Sequence, residues 1–141
     1  MIKRSLTGTK TWIWEGDPAL NKDHAEYDYK AYREDFDEKH LPCIEGQVPA
    51  RFTIGPLSRE QFVHAMGQSG GLPMMIEAVA YGLHAVTGYE ADGRPVELAR
   101  QKSDHGQRLT KASLDAIFEP ELFADLGIAI LGLSKLDPLR R

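Results

Sequence analysis

Apolar positions recur at steps of three and four residues over residues 72–89, where the sequence is LPMMIEAVAYGLHAVTGY. Residues at these steps share one face of an α-helix. The alanines and methionines between them make the remaining faces apolar as well, so the helix must be covered on several sides. Pro73 suits the first helical position, and Gly88 suits the left-handed residue that follows a last turn. The pattern predicts a central buried helix, covered by its own domain or shared with a partner chain.

Two more helices are predicted over residues 110–136, the second beginning at Pro120. Gly127 and Gly132 lower the helix propensity of this second helix, by about 1 kcal/mol each relative to alanine. They also permit close approach of another helix. The predicted apolar stripe of the second helix consists of Leu122, Phe123, Leu126, Ile130 and Leu133.

Two segments have the composition of strands, residues 3–15 and residues 50–55. In the first strand, Trp12 and Trp14 share one face and Ile13 lies on the other, because side chains alternate along a strand. Two interpretations of the tryptophans stay open: an aromatic face on the core, which is the commoner case, or anchors in a protein interface.

Local signals predict a capped helix and a hairpin after the second of these strands. Ser58 and Gln61 stand three residues apart, the spacing of a capping box at a helix N-terminus. Asp92 and Gly93 form the dipeptide typical of a tight hairpin turn.

Carboxylates and tyrosines alternate over residues 18–40, where a short amphipathic helix is predicted at about residues 25–40. Tyr29, Tyr32 and Phe36 fall at helical spacing. The acidic face is interpreted first as a solvated surface and second as a docking surface for a basic partner. In the second interpretation, Tyr27, Tyr29 and Tyr32 contact the partner together with the two tryptophans.

A locally basic stretch at residues 94–108 contains Arg94, Arg100, Lys102 and Arg108. It could complement the acidic segment within one chain or between chains. These four residues complete the set of candidate interface residues.

Length and charge exclude several classes of protein. The chain of 141 residues suits one domain, with residues 1–49 as an N-terminal arm and residues 50–141 as a mainly helical core. A net charge of −4 gives no footprint for direct nucleic-acid binding. No apolar run approaches the roughly 20 residues that span a bilayer, and the first residues have no apolar segment typical of a signal peptide. With a single cysteine, Cys43, we expect the cytoplasm of the producing cell as the setting.

No motif for catalysis, cofactor binding or metal binding stands out. The sequence has no GxGxxG and no GxxxxGK[ST]. His40 and Cys43 could supply two metal ligands, but a structural zinc site needs four, so neither a metal nor a cofactor is expected. Glu77 lies within the apolar helix, where a carboxylate needs a partner such as an arginine, a lysine or Tyr81. A structural pair is favoured over a catalytic acid.

Three segments resemble, in order, a loose family of small tailed-bacteriophage morphogenesis proteins. They are RFTIGPLSREQF, AVAYGLHAVTGYEADGRPVEL and LTKASLDAIFEPELFADLGIAILGLSKLDP, within residues 50–138. The acidic, tyrosine-rich segment and the two tryptophans at residues 12 and 14 depart from the family. Members resemble tail assembly chaperones or small virion components.

The resemblance implies a non-enzymatic role in building or decorating a phage particle. The expected partners are other phage structural proteins in a multi-copy assembly, with no small-molecule substrate, membrane or nucleic acid. The expected location is the virion, in the tail, neck or baseplate, after synthesis in the host cytoplasm. Two alternatives stay open: a tail assembly chaperone absent from the mature particle, and a regulatory phage protein that binds a host factor.

For the fold, we expect an α+β domain with short N-terminal strands packed on a mainly helical C-terminal half. A small enzyme that joins Glu77, a histidine and Cys43 in one pocket is the rival hypothesis.

Overall fold

The computed structural model describes residues 8–136, and the α+β class predicted from the sequence is confirmed. A short 3-10 helix, Glu38–His40, follows the first α-helix. The part of the first predicted strand at residues 3–7 lies outside the described residues. The elements in chain order are β1 (Lys10–Trp12), α1 (Tyr29–Asp35), β2 (Arg51–Ile54), α2 (Arg59–Met66), α3 (Gly71–Gly82), β3 (Leu83–Thr87), β4 (Glu90–Ala91), β5 (Arg94–Pro95), β6 (Arg100–Ser103), β7 (Gly106–Leu109), α4 (Lys111–Ala116) and α5 (Pro120–Leu136).

A three-stranded antiparallel sheet joins the two halves of the chain in the order β1-β2-β3. Its register places Trp12 opposite Phe52, and Phe52 opposite Val86. The N-terminal segment is therefore tied to the rest of the chain through a strand in the same sheet.

The predicted helix over residues 72–89 is wrong in its second half. The helix ends at Gly82, and Leu83 adopts an extended conformation and pairs with Ile54 in the sheet. A Cβ atom at Gly82 would lie 2.3 Å from Cγ2 of Ile130, so α5 crosses the chain where helix changes to strand. Pairing with β2 therefore overrides a periodicity that suits a helix.

Both ends predicted for this helix also differ. The helix begins at Gly71, so Pro73 occupies its third position rather than its first. Gly88 has a positive φ of 75°, as expected, but it follows strand β3 instead of a helix. Its Cα lies close to the neighbouring strand segment, because an added Cβ would be 3.1 Å from the carbonyl oxygen of Pro49.

Other local predictions are confirmed. Ser58 and Gln61 form both hydrogen bonds of a capping box at the start of α2. Asp92 and Gly93 both have positive φ and connect β4 to β5. Pro120 is the first residue of α5. The β6–β7 hairpin was not predicted, because both strands are largely polar.

Two apolar clusters form the core. The main cluster contains buried residues of all three sheet strands and of α2 to α5, with α3 packed along α5. At their crossing, a Cβ atom on Gly127 would lie 2.5 Å from Sδ of Met75, as the close approach predicted for this glycine requires. The N-terminal cluster consists of Ile13, Leu20, Tyr29, Tyr32 and Leu41. Within residues 8–136, no helix has both the length and the hydropathy needed to cross a membrane.

Candidate functional site

A groove of about 350 Å³ lies between α1 and α5, and we call it the α1–α5 groove. Its α1 wall consists of Tyr29, Arg33 and Phe36, spaced by four and three residues. Its α5 wall consists of Asp125, Ile128, Ala129, Gly132 and Leu133. Trp12 and Glu15 complete the lining. Each wall is thus one helical stripe, and the groove between them is mostly apolar.

Two tyrosine hydroxyl groups fix α1 against β1. Tyr32 donates to the carbonyl oxygen of Thr11 at 2.7 Å, and Tyr29 donates to the carbonyl oxygen of Ile13. Burial raises the pKa of both phenols, so they remain protonated donors over the physiological range. The α1 wall therefore has a fixed position relative to the sheet.

Phe36 ends α1 in a left-handed conformation, with φ 55° and ψ 29°. This conformation costs a residue with a Cβ about 1–2 kcal/mol. The ring packs edge-on against Tyr32, with centroids 5.6 Å apart, and lines the groove. An asparagine or glycine would suit the backbone better, but only a large side chain supplies this part of the wall.

The α5 wall leaves apolar surface uncovered by the described residues. Ile128 has 59% of its surface exposed. An added Cβ on Gly132 would meet no atom within 4 Å, so the glycine leaves open space one turn beyond Ile128. The sequence predicted that Gly132 permits the close approach of another helix. The space for such a helix is present, but no element of residues 8–136 occupies it.

The aromatic residues predicted as interface contacts lie mainly inside the protein. Trp12 is 4% exposed, Tyr29 is 6% and Tyr32 is 0%, so a partner cannot reach most of their surface. The interface assignment is wrong for Tyr32, which has no exposed surface, whereas Trp12 and Tyr29 expose only a small part and line the groove. The core interpretation of Trp12 is correct: its ring packs edge-on against Phe52, with centroids 5.7 Å apart. Their role at the groove is to support its walls.

The other two aromatic candidates are partly buried. The indole Nε1 of Trp14 donates to Oδ2 of Asp125 at 2.9 Å and thereby links the N-terminal segment to α5. Tyr27 packs against the N-terminal cluster. Burial, followed by the nearby Glu15 carboxylate, raises the pKa of its phenol. Both residues lie beside the groove lining rather than at an exposed face.

The four basic candidates divide into two pairs. Arg94 and Lys102 are exposed on hairpin strands. Arg100 donates to the carbonyl oxygen of Leu83, and burial lowers the pKa of its guanidinium. Arg108 binds Glu77, with Nη2 2.9 Å from Oε2. Among the ion pairs of the described residues, none joins this basic stretch to the acidic segment.

Apart from the groove, a polar cluster lies where the β6–β7 hairpin packs on α2 and α3. Glu77 Oε1 is 2.8 Å from Nε2 of His64, and its other oxygen accepts from Arg108. The ring of His64 stacks on that of His105, with centroids 4.2 Å apart. The predicted partner of Glu77, an arginine from another element, is confirmed.

This polar cluster can hold elements together but lacks the arrangement expected of the rival enzyme. Both oxygens of Glu77 are engaged by cationic or hydrogen-bonding groups of the chain itself. Cys43 lies in a different place, against the N-terminal cluster, where burial raises the pKa of its thiol. Within residues 8–136, no three His, Cys, Asp or Glu side chains are grouped closely enough to hold a metal ion.

The groove face of α5 was not predicted from the sequence. The predicted apolar stripe includes Leu133 of the groove, but Ile128, Ala129 and Gly132 extend the apolar character to a second face. A helix with apolar residues on two faces needs two partners, and this signal is present in the sequence. Phe36 was noted only as part of the α1 stripe.

Comparisons of this chain with protein-family models, with curated proteins and with solved structures find no match.

Proposed function

We propose that the chain is a non-enzymatic structural or assembly protein of a tailed bacteriophage, a component of the tail, neck or baseplate, that acts through protein–protein contacts. The observation that carries the contact part of this proposal is the α1–α5 groove. It combines an apolar lining, the half-exposed Ile128 and the open space at Gly132 on a face that the described residues leave uncovered. A hydrophobic groove of this kind is a common site for binding a partner helix.

The polar cluster supports a structural role rather than a chemical one. Glu77 joins α3 to the hairpin through Arg108 and to α2 through His64. A general acid or base needs a proton-transfer position facing a substrate, whereas both carboxylate oxygens here are occupied by the protein. This arrangement fits the attachment of a polar hairpin to the helices.

The phage part of the proposal rests on the resemblance of the three segments within residues 50–138. Their turn and cap residues have a physical function in this fold, which supports treating the segments as one folded unit. Ser58 caps α2, Asp92-Gly93 turns the β4–β5 hairpin, and Thr110 caps α4 by accepting from the backbone N–H of Ser113. The described fold ends at residue 136, so the last two residues of the third segment lie outside it.

Mass spectrometry of purified particles tests this function. The phage that encodes the chain is grown, its particles are purified, and the copy number of the chain is measured against the major capsid protein. A fixed stoichiometry in the particle is the expected result for a virion component. Absence from particles, with expression during infection, would favour the assembly chaperone or the regulator that binds a host factor, and these two differ in whether the bound protein comes from phage or host.

A further inference from the structure

We propose that the α1–α5 groove binds an amphipathic helix of a partner protein, with the apolar face of that helix in the groove and a lysine or arginine beside Glu15 and Asp125. This inference rests on the proposed function, because it specifies the partner that the contact surface accepts. It concerns one surface of the molecule and can be tested on the purified protein.

The lining of the groove suits a helix. Its two walls are helical stripes, one from α1 and one from α5. Amphipathic helices bind such grooves through apolar residues spaced by three and four positions. The open space at Gly132 provides room for one of these side chains, and Ile128 and Phe36 provide apolar contacts on either side.

The charge around the groove selects a basic partner. Glu15 and Asp125 line the groove, and neither forms an ion pair with a lysine or arginine of the described residues. Arg33 is the basic residue in the lining. The lining therefore has two carboxylates against one guanidinium. The excess of carboxylates complements lysine or arginine on an incoming helix.

The same charges disfavour a second copy of this chain as the occupant. Two grooves packed face to face would bring together four carboxylates, Glu15 and Asp125 of each copy, and only two guanidinium groups, Arg33 of each copy. Like charges at an interface cost several kcal/mol, and the whole chain has a net charge of −4. The geometry therefore points to a partner of opposite charge.

The binding test uses two synthetic helical peptides of about 18 residues, long enough for roughly five helical turns. One has leucines on one face and lysines on the other, and its matched control has glutamates in place of the lysines. We expect the purified chain to bind the basic peptide, as measured by calorimetry, at least about tenfold more tightly than the acidic peptide, a difference of about 1.4 kcal/mol. Absence of binding, or equal binding of the two peptides, would overturn the proposal.

Gly132→Leu tests whether binding occurs in the groove. The Cβ atom of the new side chain meets no atom within 4 Å, so leucine can occupy the open space, and leucine also suits the interior of a helix better than glycine. We expect affinity for the basic peptide to fall by at least about tenfold, as for the loss of a central contact. Gly71→Leu is the matched control, because Gly71 is also helical and its added Cβ also meets no atom within 4 Å, but it does not line the groove. Equal affinity of the two variants would place the peptide elsewhere and reject the groove.

A pair of charge reversals tests the choice of partner. Glu15→Lys with Asp125→Lys removes the proposed electrostatic contacts and should abolish the preference for the basic peptide. Glu45→Lys with Glu97→Lys changes the net charge equally at two exposed positions outside the groove and should preserve the preference. If both double variants lose the preference for the basic peptide equally, the net charge of the protein and not the groove determines binding.

Sedimentation of the purified chain separates the proposal from self-association. A monomer that binds the basic peptide is the expected result, and a dimer that Gly132→Leu dissociates would make a second copy the occupant. These results are independent of the particle measurement. If the chain binds the basic peptide but is found neither in phage particles nor during phage infection, the proposed phage function is wrong and the proposed groove contact stands.

Discussion

Trp12 and Ile13 are neighbours at the end of β1, yet their side chains pack into two different clusters. Trp12 belongs to the main cluster and Ile13 to the N-terminal cluster, and both are at most 4% exposed. Alternation of side chains along the strand sends one residue to each face. This pair therefore connects the N-terminal segment to the rest of the core.

Trp12→Ala should destabilise the isolated protein. Loss of a buried tryptophan costs about 3–5 kcal/mol through lost apolar contact and the cavity left behind. We expect a lower urea midpoint with little change in the slope of the transition. Val48→Ala is the control, because Val48 is 70% exposed and its truncation should change stability by less than about 0.5 kcal/mol. If the Trp12 variant were as stable as the native protein, Trp12 would not be a core residue.

Asp35 and His40 provide a second test at the scale of the residue. A hydrogen bond from His40, followed by one from the backbone N–H of Asp37, lowers the pKa of the Asp35 carboxyl. The folded form thus favours the carboxylate. The resulting stabilisation is present above the ordinary aspartate pKa and is lost as the pH falls through the lowered value.

His40→Ala should raise the pKa of Asp35 towards its ordinary value, because the principal hydrogen bond is removed. The pKa is measured by an NMR titration of the carboxyl carbon. Lys39→Ala is the comparison: Lys39 contributes only a smaller electrostatic effect, so its removal should change the pKa less. A larger shift in the Lys39 variant would mean that long-range charge, and not the hydrogen bond, controls Asp35.

At the scale of the element, α5 uses two glycines for opposite purposes. An added Cβ on Gly127 would lie 2.5 Å from Sδ and 3.0 Å from Cβ of Met75 on α3. An added Cβ on Gly132 meets no atom within 4 Å. One glycine thus allows the α3–α5 contact, and the other shapes the groove.

Alanine at each glycine should therefore change stability in opposite directions. Gly127→Ala forces α3 and α5 apart and should cost about 1–3 kcal/mol, as overpacking does. Gly132→Ala should stabilise the protein by up to about 1 kcal/mol, because alanine has the higher helix propensity. Both values come from urea unfolding. The same sign for the two substitutions would contradict the proposed difference between the two faces.

Sequence reasoning located the elements that local chemistry determines and missed those that distant contacts determine. Ser58, Asp92-Gly93 and Pro120 act within a few residues of themselves, and the capped helix, the hairpin and the start of α5 were predicted correctly. Leu83 to Thr87 becomes a strand through pairing with β2, some 30 residues earlier in the chain. The periodicity of apolar residues along the chain contains no information on that distant pairing.

The candidate site shows the same division. The spacing of Tyr29, Tyr32 and Phe36 correctly indicated a helix. It did not indicate that both tyrosine hydroxyl groups bond to the β1 segment, or that Tyr29 and Phe36 line the groove while Tyr32 does not. That difference depends on where α5 lies, which is a property of the tertiary fold. The exposure of Ile128 also depends on the position of α5 in the tertiary fold.

At the scale of the whole molecule, Glu77 connects three separate elements. It joins α3 to α2 through His64 and to β7 through Arg108, and both distances are below 3 Å. Further links join the turn of the hairpin to α2: the rings of His64 and His105 stack, and Nε2 of Gln61 donates to the carbonyl oxygen of His105 at 2.8 Å. Leu109 anchors the hairpin in the main cluster, and the other hairpin side chains are largely polar, so we expect this polar cluster to contribute to its attachment.

Glu77→Gln should loosen the hairpin while the main core stays folded. The amide cannot replace the charge that pairs with Arg108, and we expect a cost of about 1–3 kcal/mol for the unpaired partly buried group. Hydrogen exchange should accelerate in residues 100–109 more than in α5. Glu121→Gln is the matched control, since Glu121 is exposed in the first turn of α5. Uniform acceleration across the chain would mean that Glu77 supports the entire fold and not the hairpin in particular.

We propose that the α1–α5 groove makes the contact through which the chain assembles with another phage protein. The most direct measurement replaces Ile128 with a photo-crosslinking phenylalanine analogue, irradiates infected cells, and identifies the cross-linked peptide by mass spectrometry. Val48, exposed and outside the groove, is replaced in the same way as the control. We predict a cross-link from position 128, and not from position 48, to a basic amphipathic helix of a phage structural or assembly protein. Equal cross-linking from both positions, or none from position 128, would contradict the account.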